Sequence, residues 1–224
     1  MQIARVSEGK EWYTIKEWVE TYCKKIENRK QTHRRKDRIM SEVCMFFGTG
    51  YEEVEALAAI DVMRRAGIEV DMVSITGERY VTSSHKVTVE MDCLLENVDF
   101  ENVKMIVLPG GMPGTTNLEA CVPLMEQVEK FYEQGKTIAA ICAAPSILGH
   151  RGMLKGRNAC CYPSFESHLE GAEVTQNPCE VSDHIITARG MGCAVDFGLA
   201  IIEKLRGKET ADTVAESIIY SGRR

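Results

Sequence analysis

Blocks of apolar residues alternate with amphipathic stretches along most of the chain. Short apolar runs predict buried strands, and apolar residues spaced three or four positions apart predict helices. The predicted strands cover residues 43–47, 69–75, 105–108, 137–141, about 159–162 and 185–188, and a two-residue alternation over 79–91 predicts a hairpin. The predicted helices cover residues 51–66, 118–132, 143–148, 194–205 and 209–220. This order predicts an α/β fold, a mostly parallel sheet covered by helices on both faces.

The first 39 residues follow a different pattern. Apolar residues recur there at helical spacing and predict one amphipathic helix; they are Trp12, Ile15, Val19, Tyr22 and Ile26. Residues 28–38 are strongly basic without large apolar side chains, which is typical of a solvated linker. Met40 stands directly before the first predicted strand. We therefore interpret residues 1–39 as a basic amphipathic leader and residues 40–224 as the domain. An appended or mis-started segment is an alternative explanation of the leader.

The charge is distributed unevenly along the chain. Residues 1–40 hold 11 Lys and Arg against 6 Asp and Glu, whereas the remaining residues hold 16 against 27. An acidic body is a poor surface for nucleic acid or anionic lipid, so neither is an expected partner. Since no apolar run reaches membrane-spanning length, we expect no membrane partner.

The nine cysteines are irregularly spaced and include no C-x-x-C pair. A zinc knuckle is therefore not expected, and neither is any other metal centre. The beginning of the sequence lacks the apolar core of an export signal. These observations predict a reducing, cytoplasmic environment in which most thiols are free.

One cysteine stands at the end of a predicted strand, where a helix begins at once. Small residues flank Cys142 on both sides, which allows the sharp turn of a nucleophile elbow with Cys in place of Ser. Amides at the start of the following helix favour the thiolate, so we expect the pKa to fall from about 8.5 toward roughly 3.5–7.5. The alternative is a buried structural cysteine. The position of Cys142 between a strand and a helix favours a reactive cysteine.

Three acidic residues open the first predicted helix of the domain. The helix dipole favours all three, and charge complementation is a sufficient explanation for Glu52 and Glu53. Glu55 differs, because it shares a helical stripe with Ala59 and Val62 and should be partly buried. Burial raises the pKa of a carboxyl group, so Glu55 is a candidate protonated partner for the Cys142 thiolate.

Glycines follow the predicted strand of residues 105–108. The backbone amides of Gly110 and Gly111, with that of Ala143, could bind an oxyanion that develops beside Cys142. A plain turn between strand and helix is the alternative. The segment is neither a G-x-G-x-x-G fingerprint nor a P-loop, so nucleotide binding is not indicated and no cofactor is expected.

Four motifs, taken together and in order, resemble the ThiJ/PfpI superfamily. They are YEEVEALAAIDVMRRAG, VLPGG, AAICAAPSILG and TARGMG, with DFGLAIIEKLRGKE behind them. The resemblance runs from about residue 42 to residue 220 and is strongest to the branch of the parkinsonism-associated deglycase and bacterial YajL. It implies a flavodoxin-like three-layer sandwich and a homodimer. It also implies that Cys142 is the reactive cysteine and Glu55 its protonated partner.

The chain departs from the family pattern at three positions. Ala143 stands where protease-like members and some glyoxalases carry a histidine, which argues against peptidase activity. Tyr162 replaces a histidine of the parkinsonism-associated branch, as an aromatic residue does in the YajL-like branch. His85 stands where relatives carry an arginine. With Arg189, which matches the family's arginine, His85 and Tyr162 are candidate pocket residues.

The resemblance implies two functions that share one site. The first is a cysteine-dependent protein or nucleotide deglycase, or a cofactor-independent glyoxalase, acting on α-oxoaldehydes and glycated amino groups in protection against oxidative stress. The second is a redox-sensing protein or chaperone without turnover. A glutamine amidotransferase is a weaker interpretation, because it needs a late histidine with a nearby glutamate and His184 is followed by two isoleucines.

Overall fold

The computed structural model describes residues 5–8, 11–14 and 41–222. The chain divides into two compact units, Met1–Ile39 and Met40–Arg224. In the first unit, strands β1 (Arg5–Glu8) and β2 (Glu11–Thr14) form an antiparallel pair. The predicted leader helix is therefore wrong at Trp12, which lies in β2, because Trp and the neighbouring Tyr favour strands. The rest of that helix, and the basic linker, lie outside the described residues.

The second unit contains eleven strands and six helices among its described residues. The strands are β3 (Val43–Phe47), β4 (Val70–Ser74), β5 (Tyr80–Thr82), β6 (Thr88–Glu90), β7 (Cys93–Leu94), β8 (Met105–Leu108), β9 (Thr137–Ile141), β10 (Asn158–Ala159), β11 (Glu173–Val174), β12 (Cys179–Ser182) and β13 (Ile185–Ala188). The helices are α1 (Glu53–Arg65), α2 (Gly114–Ala120), α3 (Val122–Glu133), α4 (Pro145–His150), α5 (Ala194–Arg206) and α6 (Lys208–Ser217). Single 3-10 turns lie at Leu95–Asn97, Glu166–His168 and Met191–Cys193.

Seven strands form the central sheet, in the order β12-β13-β9-β8-β3-β4-β7. All neighbouring strands are parallel except β12, which runs antiparallel to β13. From β3 the chain adds β4 on one side and later adds β8 on the other. The loops after β3 and β8 therefore meet at a topological switch point, where sheets of this flavodoxin-like order bind ligands.

Burial on both faces of the sheet explains why its strands are continuous apolar runs. All five residues of β3 are buried, and successive side chains point to opposite faces. Met45 and Phe47 belong to the core cluster that includes α1, α5 and α6. On the other face, Phe46 stacks on Phe100, which meets Phe131 of α3 edge to face. The predicted α/β fold with helices on both faces is confirmed.

Several elements differ from the predictions, among them β7, β10 and β11, and local chemistry explains two further differences. The helix predicted over residues 118–132 is two helices, α2 and α3, separated at Cys121, whose ψ is 89°. Pro123 lacks an N–H, and its ring would clash with the carbonyl four residues earlier in a continuous helix. Strand β12 was not predicted, because it is a partly exposed edge strand without an apolar run.

None of the helices in the described part of the chain combines the length and the apolar character needed to cross a lipid bilayer.

Candidate functional site

The loops after β3 and β8 pack backbone against backbone at the switch point. The Glu52 N–H donates to the Gly110 carbonyl at 2.9 Å, and the Gly114 N–H donates to the Gly50 carbonyl at 3.2 Å. Gly111 has a φ of +89°, and a Cβ there would lie 2.6 Å from the Tyr51 carbonyl carbon. Glycine is therefore required at this contact, which fixes the first turn of α1 against the loop after β8.

Cys142 makes the sharp turn between β9 and α4. Its φ of +65° is uncommon for a residue other than glycine. Two backbone hydrogen bonds hold it there: the Cys142 N–H donates to the Ala188 carbonyl at 2.9 Å, and the Tyr162 N–H donates to the Cys142 carbonyl at 2.8 Å. The expected elbow is thus present, with its cysteine only partly exposed. A strained backbone at such a turn is typical of functional sites.

The carboxyl group of Glu55 lies beneath this turn. The side chain is 1% exposed and forms a hydrogen bond with the Cys142 thiol. Its Oε2 also accepts the Gly110 N–H at 3.0 Å. A Cβ at residue 110 would lie 2.7 Å from Glu55 Oε2 and 2.5 Å from the Cys142 Cβ. The absence of a side chain at Gly110 is what lets the acid and the thiol meet.

Burial, assisted by the negative charge of Glu52, raises the pKa of Glu55 to about 7. Hydrogen bonds with Cys142 and the Gly110 N–H act in the opposite direction but do not offset the burial. This upward shift of the Glu55 pKa is the one expected from the sequence. Glu55 therefore exchanges its proton near neutral pH, which suits a group that moves a proton during a reaction.

The pKa of the Cys142 thiol is raised, which contradicts the lowered pKa expected from the sequence. Burial is the main cause, and the charge of Glu55 and its hydrogen bond add to it. The N–H groups of Gly111 and Ala143 do lower the pKa, as anticipated, but they do not outweigh burial. Each group therefore changes the proton affinity of the other, and above the pKa of Glu55 the proton of the pair lies on the thiol.

The three backbone amides proposed as oxyanion donors have separate roles in this geometry. The N–H groups of Gly111 and Ala143 form hydrogen bonds to the sulfur of Cys142. The Gly110 N–H instead donates to Glu55. Gly110 is therefore corrected from an oxyanion donor to a residue that orients the acid.

Of the three candidate pocket residues, Tyr162 lies next to the pair. Its ring is half exposed, and a Cβ at Gly190 would lie 3.2 Å from Tyr162 Cδ2 and 3.8 Å from Glu55 Oε1. Gly190 was not among the residues picked out from the sequence, although the TARGMG motif contains it. A larger residue at this position would press between the aromatic ring and the acid.

The other two candidate pocket residues have different neighbours. His85 Nδ1 lies 3.2 Å from Glu53 Oε2, at the first turn of α1. The positive charge of Arg189 acts on the thiols of Cys161 and Cys193, where it opposes the rise in pKa that burial causes. His85 therefore bonds to Glu53, and the charge of Arg189 acts on Cys161 and Cys193 rather than on Cys142.

Comparison with known proteins decides the family. A model of the DJ-1/PfpI family matches residues 41–204 of this sequence. The chain belongs to the DJ-1/PfpI family. The superfamily inferred from the four motifs is confirmed, and the family match contains Cys142, Glu55 and the glycines that bring them together.

Several members of the DJ-1/PfpI family are similar over most of this chain. The protein dj-1beta of Drosophila melanogaster is 35% identical over 174 residues, which are 77% of this chain and 93% of that protein. The glutathione-independent glyoxalase DJR-1.2 of Caenorhabditis elegans is 30% identical over 168 residues, or 75% and 89% of the two chains. DJ-1 homologs B and A of Arabidopsis thaliana are 36% identical, but this chain spans only 39% and 44% of their lengths.

Solved DJ-1/PfpI structures show the same fold. The oxidized DJ-1 of Toxoplasma gondii superimposes with a TM-score of 0.77 at 35% identity, covering 81% of this chain and 99% of that one. The flavodoxin-like arrangement inferred from the sequence is therefore confirmed.

Proposed function

We propose that this protein is a cysteine-dependent, cofactor-independent glyoxalase or deglycase that converts α-oxoaldehydes and their adducts to hydroxy acids. The observation that carries the proposal is the hydrogen-bonded pair of Cys142 and Glu55, with the N–H groups of Gly111 and Ala143 on the sulfur. A thiol, a proton-transfer group with a pKa near 7 and two backbone donors are the groups that covalent catalysis on a reactive aldehyde needs. The name of the Caenorhabditis elegans relative supports the glyoxalase assignment.

The raised pKa of the thiol determines how the reaction begins. Because Cys142 does not stand as a free anion, its proton passes to the Glu55 carboxylate as the sulfur attacks the aldehyde carbon. One carbon–sulfur bond forms, the carbonyl π bond breaks, and Glu55 passes the proton on to the carbonyl oxygen, which becomes the hydroxyl of a hemithioacetal. We expect the N–H groups of Gly111 and Ala143, which bond to the sulfur, to stabilise the oxygen as it becomes negative.

The remaining steps require no external oxidant. Glu55 removes the proton from the former aldehyde carbon and returns it to the neighbouring carbon, while the hydroxyl proton of the hemithioacetal moves to the oxygen on that neighbouring carbon. The first carbon is thereby oxidised to a thioester, and the second is reduced to an alcohol. Water then cleaves the thioester, which releases the thiol of Cys142 and a hydroxy acid, lactate from methylglyoxal or glycolate from glyoxal. In an amine adduct, the amine leaves as the sulfur replaces nitrogen.

Formation of lactate from methylglyoxal tests this function. Lactate is the appropriate readout because simple adduct formation also consumes methylglyoxal. Cys142→Ser should abolish lactate formation, whereas Cys121→Ser, at another partly exposed cysteine, should leave the rate unchanged. Equal rates in Cys142→Ser and the unmodified protein would disprove the enzyme assignment.

Three attributes accompany the proposal, two from the family resemblance and one, the location, from the irregular spacing of the cysteines. We propose a homodimer, a cytoplasmic location and a role in protection against oxidative stress. We also propose that residues 1–39 are a leader separate from the working domain. Sedimentation of the full chain, compared with a chain that begins at Met40, would test the homodimer and the dispensability of the leader together.

A second candidate function is oxidation sensing or chaperone action without turnover. Its support is the set of donors around the partly exposed Cys142 sulfur, since Glu55, Gly111 and Ala143 would hydrogen-bond the oxygens of a sulfinate. One peroxide oxidises the thiol to a sulfenic acid and a second oxidises that to the sulfinic acid, with water released each time. Residue-resolved mass spectrometry after mild peroxide should show Cys142 oxidised before Cys44 and Cys93, which are buried. Equal rates at all three would contradict the idea.

The position of His184 weighs against a glutamine amidotransferase mechanism. His184 directly precedes β13, whereas Cys142 lies beyond the opposite end, where Ala188 pairs with Ile141. The four residues of β13 lie between these two levels, which are five rises or roughly 16 Å apart along the strand. His184 Nδ1 bonds instead to Asp183 at 2.9 Å.

A further inference from the structure

Glu52, the residue directly before α1, is bonded to the same backbone segment that orients Glu55. The Glu52 N–H donates to the Gly110 carbonyl at 2.9 Å, and the Gly110 N–H donates to Glu55 Oε2 at 3.0 Å. The Glu52 side chain completes a ring of hydrogen bonds, because its Oε2 accepts the Glu55 N–H at 2.6 Å. The backbone and the carboxyl group of Glu55 are therefore both held by this ring.

The negative charge of Glu52 has no cation bonded to it in the part of the chain that the structure describes. The residue is only 9% exposed. Atoms of Glu53 and His85 lie within 4.8 Å of its carboxylate, but these two residues form an ion pair with each other at 3.1 Å. Because little water screens a buried charge, the charge of Glu52 acts strongly on its neighbours, and Glu55 is only three positions away.

Four elements bring a titratable or charged side chain to the surroundings of Glu55. These side chains are Glu52 at the start of α1, Cys142 after β9, Tyr162 after β10 and Arg189 after β13. Glu52 and Cys142 act on the proton of Glu55. The charge of Arg189 acts on Cys161 and Cys193 instead. Glu52 is therefore the charge that can be removed while the reacting thiol stays in place.

We propose that Glu52 is a positioning residue, which holds Glu55 beneath Cys142 and strengthens Glu55 as a proton acceptor. This inference rests on the proposed function, because transfer of the thiol proton to Glu55 starts that reaction. A negative charge beside a carboxylate makes the carboxylate bind a proton more tightly. A more basic carboxylate removes the proton of the thiol more readily. Glu52 itself transfers no proton in this scheme.

The experiment separates the charge of Glu52 from its hydrogen bond. Glu52→Gln removes the charge but keeps a side-chain oxygen that can accept the Glu55 N–H. Nuclear magnetic resonance of the full chain, labelled with ¹³C at the glutamate carboxyl groups, follows the protonation of Glu55, and the spectrum of Glu55→Gln identifies its signal. The midpoint of this titration should fall by about half a pH unit or more, roughly threefold in proton affinity. Charges about 6 Å apart interact by that much even at the dielectric constant of water.

The pH profile of lactate formation should report the same change. Glu55 must be ionised to accept the thiol proton, so the rate should rise as the pH passes through the pKa of Glu55. In Glu52→Gln this rise should move to lower pH by the same amount as the resonance titration. Glu52→Asp keeps the charge and is a favourable helix cap, so it should restore the original midpoint. A cap that only stabilised the helix would leave the midpoint where it is in all of these variants.

Glu53→Gln is the matched control, because it removes the same charge one residue away, where that charge is paired with His85. The midpoint of Glu55 should be unchanged in this variant. An unchanged midpoint in Glu52→Gln, or an equal fall in both variants, would overturn the proposal. The resonance titration needs no turnover, so it decides the role of Glu52 separately. Lactate formation that persists in Cys142→Ser would contradict the proposed function alone.

Discussion

Glu55 and Cys142 form a hydrogen bond at the carboxyl edge of the sheet, and burial raises the pKa of both groups. They reach each other from different elements, since Glu55 lies in α1 and Cys142 follows β9. The link between them is Gly110, whose N–H binds Glu55 Oε2 at 3.0 Å. Neither group would have the same proton affinity alone, because each changes the electrostatic field at the other.

The first prediction concerns the reactivity of the thiol. Glu55→Gln removes a negative charge that raises the pKa of Cys142, so the thiol should ionise more readily. Alkylation of Cys142 by iodoacetamide near pH 8 should become about tenfold faster, because a neighbouring like charge shifts a pKa by about one unit or more. Residue-resolved mass spectrometry across pH 6–10 measures this. Slower alkylation in the variant would mean that Glu55 promotes the thiolate instead.

The same substitution should have the opposite effect on turnover. Glutamine cannot accept the thiol proton or move a proton between the substrate carbons. Lactate formation by Glu55→Gln should therefore fall by roughly 10²–10⁴-fold, the usual contribution of a general acid–base group. A variant that alkylates faster and still turns over normally would remove Glu55 from the mechanism.

The second prediction concerns stability as a function of pH. The pKa of Glu55 rises from 4.5 to about 7 on folding, so between these values the folded state binds more protons than the unfolded state. The stabilisation is fully present below pH 4.5 and is lost as the pH rises through about 7. A shift of this size corresponds to about 3 kcal/mol of unfolding free energy. Urea unfolding of Glu55→Gln from pH 5 to pH 8 should lack this decrease, and parallel curves would contradict the assignment.

The third prediction concerns the glycine between the two groups. A Cβ at residue 110 would lie 2.5 Å from the Cys142 Cβ and 2.9 Å from the Ile141 carbonyl oxygen. Gly110→Ala should therefore destabilise the fold by about 1–3 kcal/mol and separate the acid from the thiol. Gly192→Ala is the matched control, because a Cβ at residue 192 meets no atom within 4 Å. Unfolding curves and lactate formation should be affected by the first substitution only, and equal effects would exclude the steric explanation.

The strands and helices that follow from the apolar pattern could be predicted from the sequence. Cys142 could be predicted too, because an apolar strand, a cysteine and small flanking residues are adjacent in the sequence. Glu55 was found from its helical stripe. The direction of the thiol pKa was not predictable, since it depends on burial and on a charge brought near by β3, β8 and β9 together. The hydrogen bond from the Gly110 N–H to Glu55 could not be predicted for the same reason, because tertiary packing determines which acceptor a backbone amide meets. The proximity of Gly190 to Tyr162 could not be predicted either, because the two residues lie in distant segments of the sequence.

The last prediction concerns Tyr162, whose half-exposed ring lies against Gly190 beside the acid. We expect the ring to contact the substrate, so Tyr162→Ala should raise KM for methylglyoxal about tenfold while changing kcat little, because a ring that only binds substrate takes no part in proton transfer. Tyr162→Phe keeps the ring and removes the hydroxyl, so it should behave like the unmodified protein. A large loss of kcat in Tyr162→Phe would instead make the hydroxyl part of the chemistry, and the pair of variants separates the two roles in one set of steady-state measurements.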